Sequence, residues 1–404
     1  MSGTGPTGAG GDSIRFHQLL QRWGPAYLKR FGTAVPWRQR EVLEKLLACR
    51  TPALGGELFA CPACGTFHYA YHSCNDRHCP QCGQTDADQW LANHTSLLLP
   101  VPYFLVTFTV PEPLRLWMRS HPGQSLDLLF ATSAQALQDL ARNPQRLGAS
   151  LGMLGLLHTW SRTLIYHPHV HYLIPAGGLS LDQRQWVPSR PKFLVHVHPL
   201  ADHYRTLFRQ ALQRDAPDLL KTLPARVWKQ RWVVHCQPAG SGQAALRYLS
   251  RYVFKTATGD RDLPLLPDLP APRLRQAGSR VRWRYRDSIS GREEHLDLEP
   301  FELIRRFLQH VLPSGFHRVR RFGWLHPGAR AKLNRVRALL QQAPVLTDAE
   351  RAAWQPPQAE LEPPEPLPPP APTPLCPQCR QPMRHVGSWC AGQPRLRPPV
   401  RGPP

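Results

Sequence analysis

Nine of the ten cysteines fall in two short stretches, Cys49 to Cys82 and Cys376 to Cys390, with only Cys236 between them. The start, MSGTGPTGAGGDS, lacks the cationic and apolar blocks of a secretory leader, so these thiols are expected to be reduced. Clustered reduced thiols point to metal. Residues 61–82 read CPACGTFHYAYHSCNDRHCPQC, with 14 residues separating the knuckles Cys61/Cys64 and Cys79/Cys82. Four thiolates on two tight turns suit a closed, tetrahedral Zn²⁺ site, which stabilises a small domain and performs no chemistry. Cys74 and His78 form a further pair, as substitute ligands or part of a two-metal site; His68 and His72 read as solvated. In the second stretch Cys376 and Cys379 make one knuckle with loosely spaced His385 and Cys390, which suits either zinc or a group of free thiols.

Charge narrows the partner. Lys and Arg number 50 against 28 Asp and Glu, a net charge of +22 over 404 residues, and a surplus of that size calls for a polyanion. Hydrophobic residues make up 42% of the chain, too many for a disordered basic tail. No apolar run approaches the ~18 residues of a membrane span, so residence in a membrane is excluded.

Periodicity gives an α+β reading. Residues 14–49 are helical in pattern, 97–110 read as a buried strand, and 125–141 as an amphipathic helix. Residues 151–160 and 170–175 read as a hairpin turning around Ser161 and Arg162. Helix is expected near 200–212, strand over 231–237, helix over 243–255 and again over 301–311. In RVRWRYR, residues 280–286, Arg280, Arg282, Arg284 and Arg286 alternate with Val281, Trp283 and Tyr285, so the cations and the aromatics take opposite faces and the aromatics are expected to pack. Length suggests two or three domains. The expected division is a disordered segment 1–13, a helical and zinc-binding domain 14–96, a main domain 97–338, a Pro-rich linker 339–375, and a cysteine-bearing tail 376–404.

Two constellations in the main domain carry chemistry. In HPHVH, residues 167–171, His169 and His171 flank Val170, so on a strand both imidazoles leave one face. An isolated pair of this kind is more often a surface feature; with a third ligand it becomes a divalent-metal site with open positions. His158, on the preceding strand, would come opposite His169 or His171; His167 competes for that role. Downstream, in ALRYLSRYVFK, Tyr248 and Tyr252 sit at i and i+4 of an expected helix. Core packing is the bland explanation, but Arg247, Arg251 and Lys255 flank the phenols and suit a phosphodiester. Tyrosine is a competent covalent nucleophile.

These residues also carry a family resemblance. HPHVH with YLIPAGGLS, then YLSRYVFKTATG, WRYRDSISG and IRRFLQHVLPSGFHRVRRFGWL resemble the rolling-circle transposases of insertion sequences, in the two-tyrosine HUH class and the insertion-sequence ninety-one family. CRTPALGGELFACPAC and HSCNDRHCPQC resemble the family's N-terminal zinc-binding domain. The likeness runs over residues 35–325. It implies an HUH nuclease-type antiparallel sheet flanked by helices, His169 and His171 as the metal-binding pair with His158 as the third ligand, and Tyr248 and Tyr252 as nucleophiles. It further implies structural Zn²⁺, catalytic Mg²⁺ or Mn²⁺, single-stranded DNA at element ends as substrate, and a DNA-associated protein of the bacterial cytoplasm. Two other readings remain at this stage: a plasmid replication initiator or relaxase with the same chemistry, and a zinc-dependent DNA-binding protein without catalysis.

Overall fold

The computed structural model describes residues 13–82, 84–253, 257–266, 280–287, 290–342 and 374–398, leaving aside the side chains of 84–88, 251, 252, 262 and 342. The expectation for segment 1–13, and that for the linker, fall almost wholly outside these residues.

The chain enters through β1 (Ser13–Arg15), α1 (Phe16–Phe31) and α2 (Trp37–Ala48). A hairpin of β2 (Gly55–Ala60) and β3 (Phe67–Tyr71) follows, then α3 (Gln84–Thr95) and β4 (Tyr103–Thr109). Next come α4 (Glu112–Ser120), α5 (Pro122–Arg142), β5 (Ala149–Ser150), β6 (Gly152–Trp160) and β7 (Tyr166–Pro175). Beyond them lie β8 (Gly177–Ser180), β9 (Trp186–Pro188), α6 (Val197–Asp215), α7 (Pro217–Thr222) and α8 (Arg226–Lys229). β10 (Val234–Pro238), α9 (Gln243–Val253), β11 (Asp262–Leu266), β12 (Arg280–Arg286) and β13 (Glu293–Leu298) lead to α10 (Pro300–Leu308). The last elements are β14 (Val319–Gly323), α11 (Arg330–Gln342) and β15 (Arg384–Cys390).

The central sheet has five antiparallel strands in the order β10-β4-β7-β6-β14, which bears out the α+β class. Side chains alternate across its faces. Phe104, Val106 and Phe108 of β4, with Val170, Tyr172 and Ile174 of β7, join Phe130 of α5 and Tyr204 and Phe208 of α6 in one core. The opposite face is also apolar near one end, where Leu105, Leu154, Leu156 and Leu173 meet Leu246 and Leu249 of α9 and Val336 of α11. A strand buried on both faces has no room for solvent-facing polar residues, so the polar positions of β7 stand out.

The β6–β7 hairpin turns through residues 161–165, closed by the Ser161 N–H donating to the Ile165 carbonyl at 2.9 Å, with Leu164 at φ 58°. A second body is built around the sheet β1-β11-β12-β13. There Phe16, Leu19 and Leu20 of α1 and Val42 and Leu43 of α2 share a core with Val281, Trp283, Leu303 and Phe307. The rings of Phe16 and Phe307 meet edge-to-face, 5.0 Å apart. The first two helices thus pack against residues from 263 onward, a pairing that local periodicity does not reveal.

β15 completes a third sheet in the order β15-β2-β3. Through β15 the cysteine-bearing tail, expected over 376–404 after the linker, pairs strand to strand with the N-terminal hairpin. No helix among the described residues is long and apolar enough to cross a membrane.

Candidate active site and metal centres

β7 projects His167, His169 and His171 from the face on which α9 lies. Register places His158 of β6 directly opposite His169. The ring centroids of His158 and His171 are 4.6 Å apart, those of His169 and His171 4.9 Å, and those of His158 and His169 5.2 Å. One ring nitrogen from each of these three histidines can be chosen so that all lie within 4.8 Å of one another. His167 is outside that group, with its ring 5.4 Å from that of His169.

Hydrogen bonds fix how two of the rings present themselves. Nδ1 of His169 lies 2.7 Å from the His167 carbonyl oxygen; a carbonyl only accepts, so Nδ1 carries the proton and Nε2 keeps its lone pair. Nδ1 of His171 lies 2.8 Å from the Thr107 hydroxyl on β4. Among the described residues, Nε2 of His171 is buried with no hydrogen-bond partner. A buried nitrogen without a partner costs stability unless something binds it.

Electrostatics favour the ligating form. Burial first, and then the neighbouring His169, push His171 down to about 3. Burial likewise holds His158 well below the ordinary histidine range, followed by the charges of His171, His169 and Arg318. It lowers His169 as well, against the opposing hydrogen bond to His167. All three are neutral at pH 7, as a divalent cation requires. The donor set therefore fits such an ion.

Tyr248 stands above this cluster. Leu246 and Leu249 are fully buried against the sheet and anchor α9, while Tyr248 is 41% exposed. Its ring centroid lies 6.3 Å from that of His171. Arg247 is exposed beside it. The side chains of Arg251 and Tyr252, and the whole of Lys255, lie outside the described residues.

The basic strand β12 is divided between exposure and pairing. Arg282 makes two bonds of 2.8 and 2.9 Å to the Asp297 carboxylate, and Arg284 comes within 3.9 Å of Glu293. Arg286 donates to the Gly291 carbonyl, while Arg280 is exposed. Trp283 is buried under the Arg261 guanidinium, 4.4 Å from its ring, and donates to the Arg162 carbonyl. It is a core residue.

The cysteines require a correction. The spacing suggested one site from Cys61, Cys64, Cys79 and Cys82, but the two knuckles belong to different groups. Cys79 and Cys82 gather with Cys49 and Cys74, while Cys61 and Cys64 gather with Cys376 and Cys379. Nor does His78 join a thiol group. Its Nδ1 lies 2.7 Å from the Asp76 carboxylate, and its Nε2 accepts from the Leu312 N–H at 3.3 Å, so both nitrogens are used. His385 packs its ring on Phe59 and lies 3.1 Å from the Ser388 hydroxyl, and Cys390 is exposed; neither joins a group. CxxC turns look alike locally, and only tertiary structure decides which two share an ion. Cys49 counts in the first stretch of the sequence but is assigned no ligand role there, because it stands outside any knuckle, and Thr107 is missed, because a threonine in a strand carries no signal.

Comparison with known proteins sets this geometry in context. The family model described as "Putative transposase" matches residues 152–333, which hold the three histidines and Tyr248. The model described as "Transposase zinc-binding domain" matches residues 19–110, which hold Cys49 to Cys82. The chain is 36% identical to "Putative transposase y4qJ" of Sinorhizobium fredii over 325 residues, 76% of this chain and 79% of the relative. It is 29% identical to "Transposase for insertion sequence element IS801" of Pseudomonas savastanoi pv. phaseolicola over 306 residues, 70% of each. No solved structure matches it. The chain belongs to the insertion-sequence ninety-one family of transposases and carries that family's zinc-binding domain at its N-terminal end.

Proposed function

We propose that this transposase nicks single-stranded DNA at the ends of its element by tyrosine transesterification, in rolling-circle transposition. Tyr248 is the nucleophile, and His158, His169 and His171 are ligands of a Mg²⁺ or Mn²⁺ ion. The observation that carries the proposal is the position of an accessible phenol over a cluster of three neutral imidazoles, two buried and one half-buried, one of them with a nitrogen unpartnered among the described residues. The ion would supply positive charge to a non-bridging oxygen of the scissile phosphate.

The chain's own residues account for the rest. Tyr248 Oη bonds to phosphorus as its proton leaves for solvent, and the bond from phosphorus to the 3′ oxygen breaks. That oxygen takes up a proton and departs as a 3′-hydroxyl, while the 5′ phosphate stays on the tyrosine. The phenolic ester conserves the energy of the phosphodiester, so a strand is rejoined without ATP. Tyr252, one helical turn further, is assigned the second cleavage. Arg247, Arg251 and Lys255 are assigned to the phosphates next to the break, and Arg280, Arg282, Arg284 and Arg286 to more distant ones. Where Arg282 already holds Asp297, its contribution is the smallest of these.

The test is nicking of a labelled single-stranded oligonucleotide carrying the element end, with and without Mn²⁺. Cleavage is expected only with metal and only with both His169 and His171 present. The His169→Ala, His171→Ala double variant should bind the oligonucleotide with little change, since affinity comes mainly from basic surface. Cleavage by that variant would refute the assignment.

A further inference from the structure

We propose that Cys61, Cys64, Cys376 and Cys379 form a second zinc site, split between the two ends of the chain, which ties residues 374–398 to the N-terminal hairpin. Neither family match reaches this site's C-terminal half, since they end at residues 110 and 333. The proposal is independent of the tyrosine chemistry.

The first observation is thiol geometry. Sγ of Cys61 lies 3.4 Å from that of Cys379, and Sγ of Cys64 lies 3.6 Å from that of Cys376. All four sulfurs fall within 4.8 Å of one another. Zinc–sulfur bonds of about 2.3 Å in a tetrahedron put sulfurs roughly 3.8 Å apart. Three of the four thiols are buried or half-buried, so the cluster is largely closed, as structural zinc sites are.

The second is backbone pseudo-symmetry. In the first knuckle the Gly65 N–H donates to the Cys61 carbonyl at 2.9 Å, and the Cys61 N–H to the Thr66 carbonyl at 2.9 Å. In the second the Arg380 N–H donates to the Cys376 carbonyl at 2.9 Å, and the Cys376 N–H to the Gln381 carbonyl at 2.8 Å. The residue after each second cysteine is left-handed, Gly65 at φ 69° and Arg380 at φ 62°. A non-glycine residue takes that conformation at a cost, which a metal-bound turn offsets. The two halves are thus the same turn, used twice, facing each other.

The third is the surface around the site. β15 pairs with β2 from Arg384↔Ala60 to Cys390↔Gly55. A Cβ on Gly56 would come within 2.6 Å of the Ala70 carbonyl oxygen and 2.8 Å of the Trp389 ring, so this glycine makes room both for its partner strand and for the tail's tryptophan. The Tyr69 hydroxyl donates to the Leu396 carbonyl at 2.8 Å, and the Arg395 guanidinium lies 3.5 Å from the Tyr69 ring centre. From Arg384 to Leu396 the tail is matched to this hairpin.

Two measurements on the full-length protein test the site. Elemental analysis of the purified parent should find one more zinc per chain than in the Cys376→Ser, Cys379→Ser variant, with the circular dichroism of the two alike. In a parent chain carrying a protease recognition sequence inserted after residue 355, the cleaved C-terminal fragment should co-elute with the body. It should separate once a chelator has removed the zinc. Equal zinc content in parent and variant overturns the proposal, as does a fragment that dissociates with zinc present or stays bound after complete chelation. The cleavage arm does not depend on how well the variant folds.

Discussion

The Thr107 hydroxyl lies 2.8 Å from Nδ1 of His171, across the β4–β7 register pair and on the far side of the ring from Nε2. A ligand imidazole held this way keeps its orientation, and losing such a partner costs roughly 10–100-fold in metal affinity. Thr107→Val keeps the branched shape and removes the hydroxyl. It should raise the Mn²⁺ concentration for half-maximal nicking by roughly that factor, with the rate recovering at saturating metal and little change in thermal midpoint. An unchanged metal requirement would leave Thr107 a mere packing residue.

His78 offers a cleaner separation of structure from ligation. Its ring bridges Asp76 and the Leu312 N–H in a fully buried position, next to the thiols it was expected to assist. His78→Ala should leave the zinc content of the folded protein unchanged. It should lower stability by about 1–3 kcal/mol, because the Leu312 N–H loses its acceptor. A drop of one zinc per chain, measured on material that retains its helical signal, would make it a ligand after all.

How much of this was legible beforehand depends on range. His169 and His171 could be placed on one face because a period of two is local, and the hairpin followed from two apolar runs around a polar turn. α9 was legible for the same reason: Leu246 and Leu249 repeat at helical spacing. The zinc groupings were not, since Cys61 finds Cys379 across most of the chain and a knuckle carries no mark of its partner. The core shared by Phe16 and Phe307 is equally silent in the sequence, because both helices merely look amphipathic.

α9 should be more sensitive to truncation beneath it than above. Leu246 is fully buried between the helix and the leucines of the central sheet. Leu246→Ala should cost about 2–5 kcal/mol, read from urea unfolding. Arg247→Ala, on the exposed side, should shift the midpoint very little while weakening oligonucleotide binding and flattening its salt dependence. Equal destabilisation by the two would mean that α9 is not seated on the sheet through its leucines.

Acid should destabilise the fold through its buried neutral histidines. Burial pushes His310 down to about 3, outweighing its hydrogen bond to the Leu164 carbonyl. A histidine depressed in the folded state favours folding above its unfolded value of about 6.5, and that contribution shrinks as pH falls toward the folded value. Per such histidine the slope approaches about 1.4 kcal/mol per pH unit. Between pH 7.5 and 5.5 the parent should therefore lose more stability than His310→Gln, which has no proton to take up. Parallel pH profiles would show that His310 already titrates normally in the folded protein.

The chemistry at Tyr248 is tested most directly by finding the covalent bond. The full-length protein should be incubated with Mn²⁺ and a single-stranded oligonucleotide carrying the element end and a 3′ label, then denatured and digested for peptide mass spectrometry. The account predicts a label-bearing adduct resistant to denaturant, with the 5′ phosphate of the cleaved strand mapped to Tyr248 or Tyr252. That adduct should be absent from the Tyr248→Phe, Tyr252→Phe variant, in which the rings persist and only the phenol oxygens are gone. An adduct of undiminished yield in the double variant, or oligonucleotide cleavage that leaves no protein-bound phosphate at all, would contradict it.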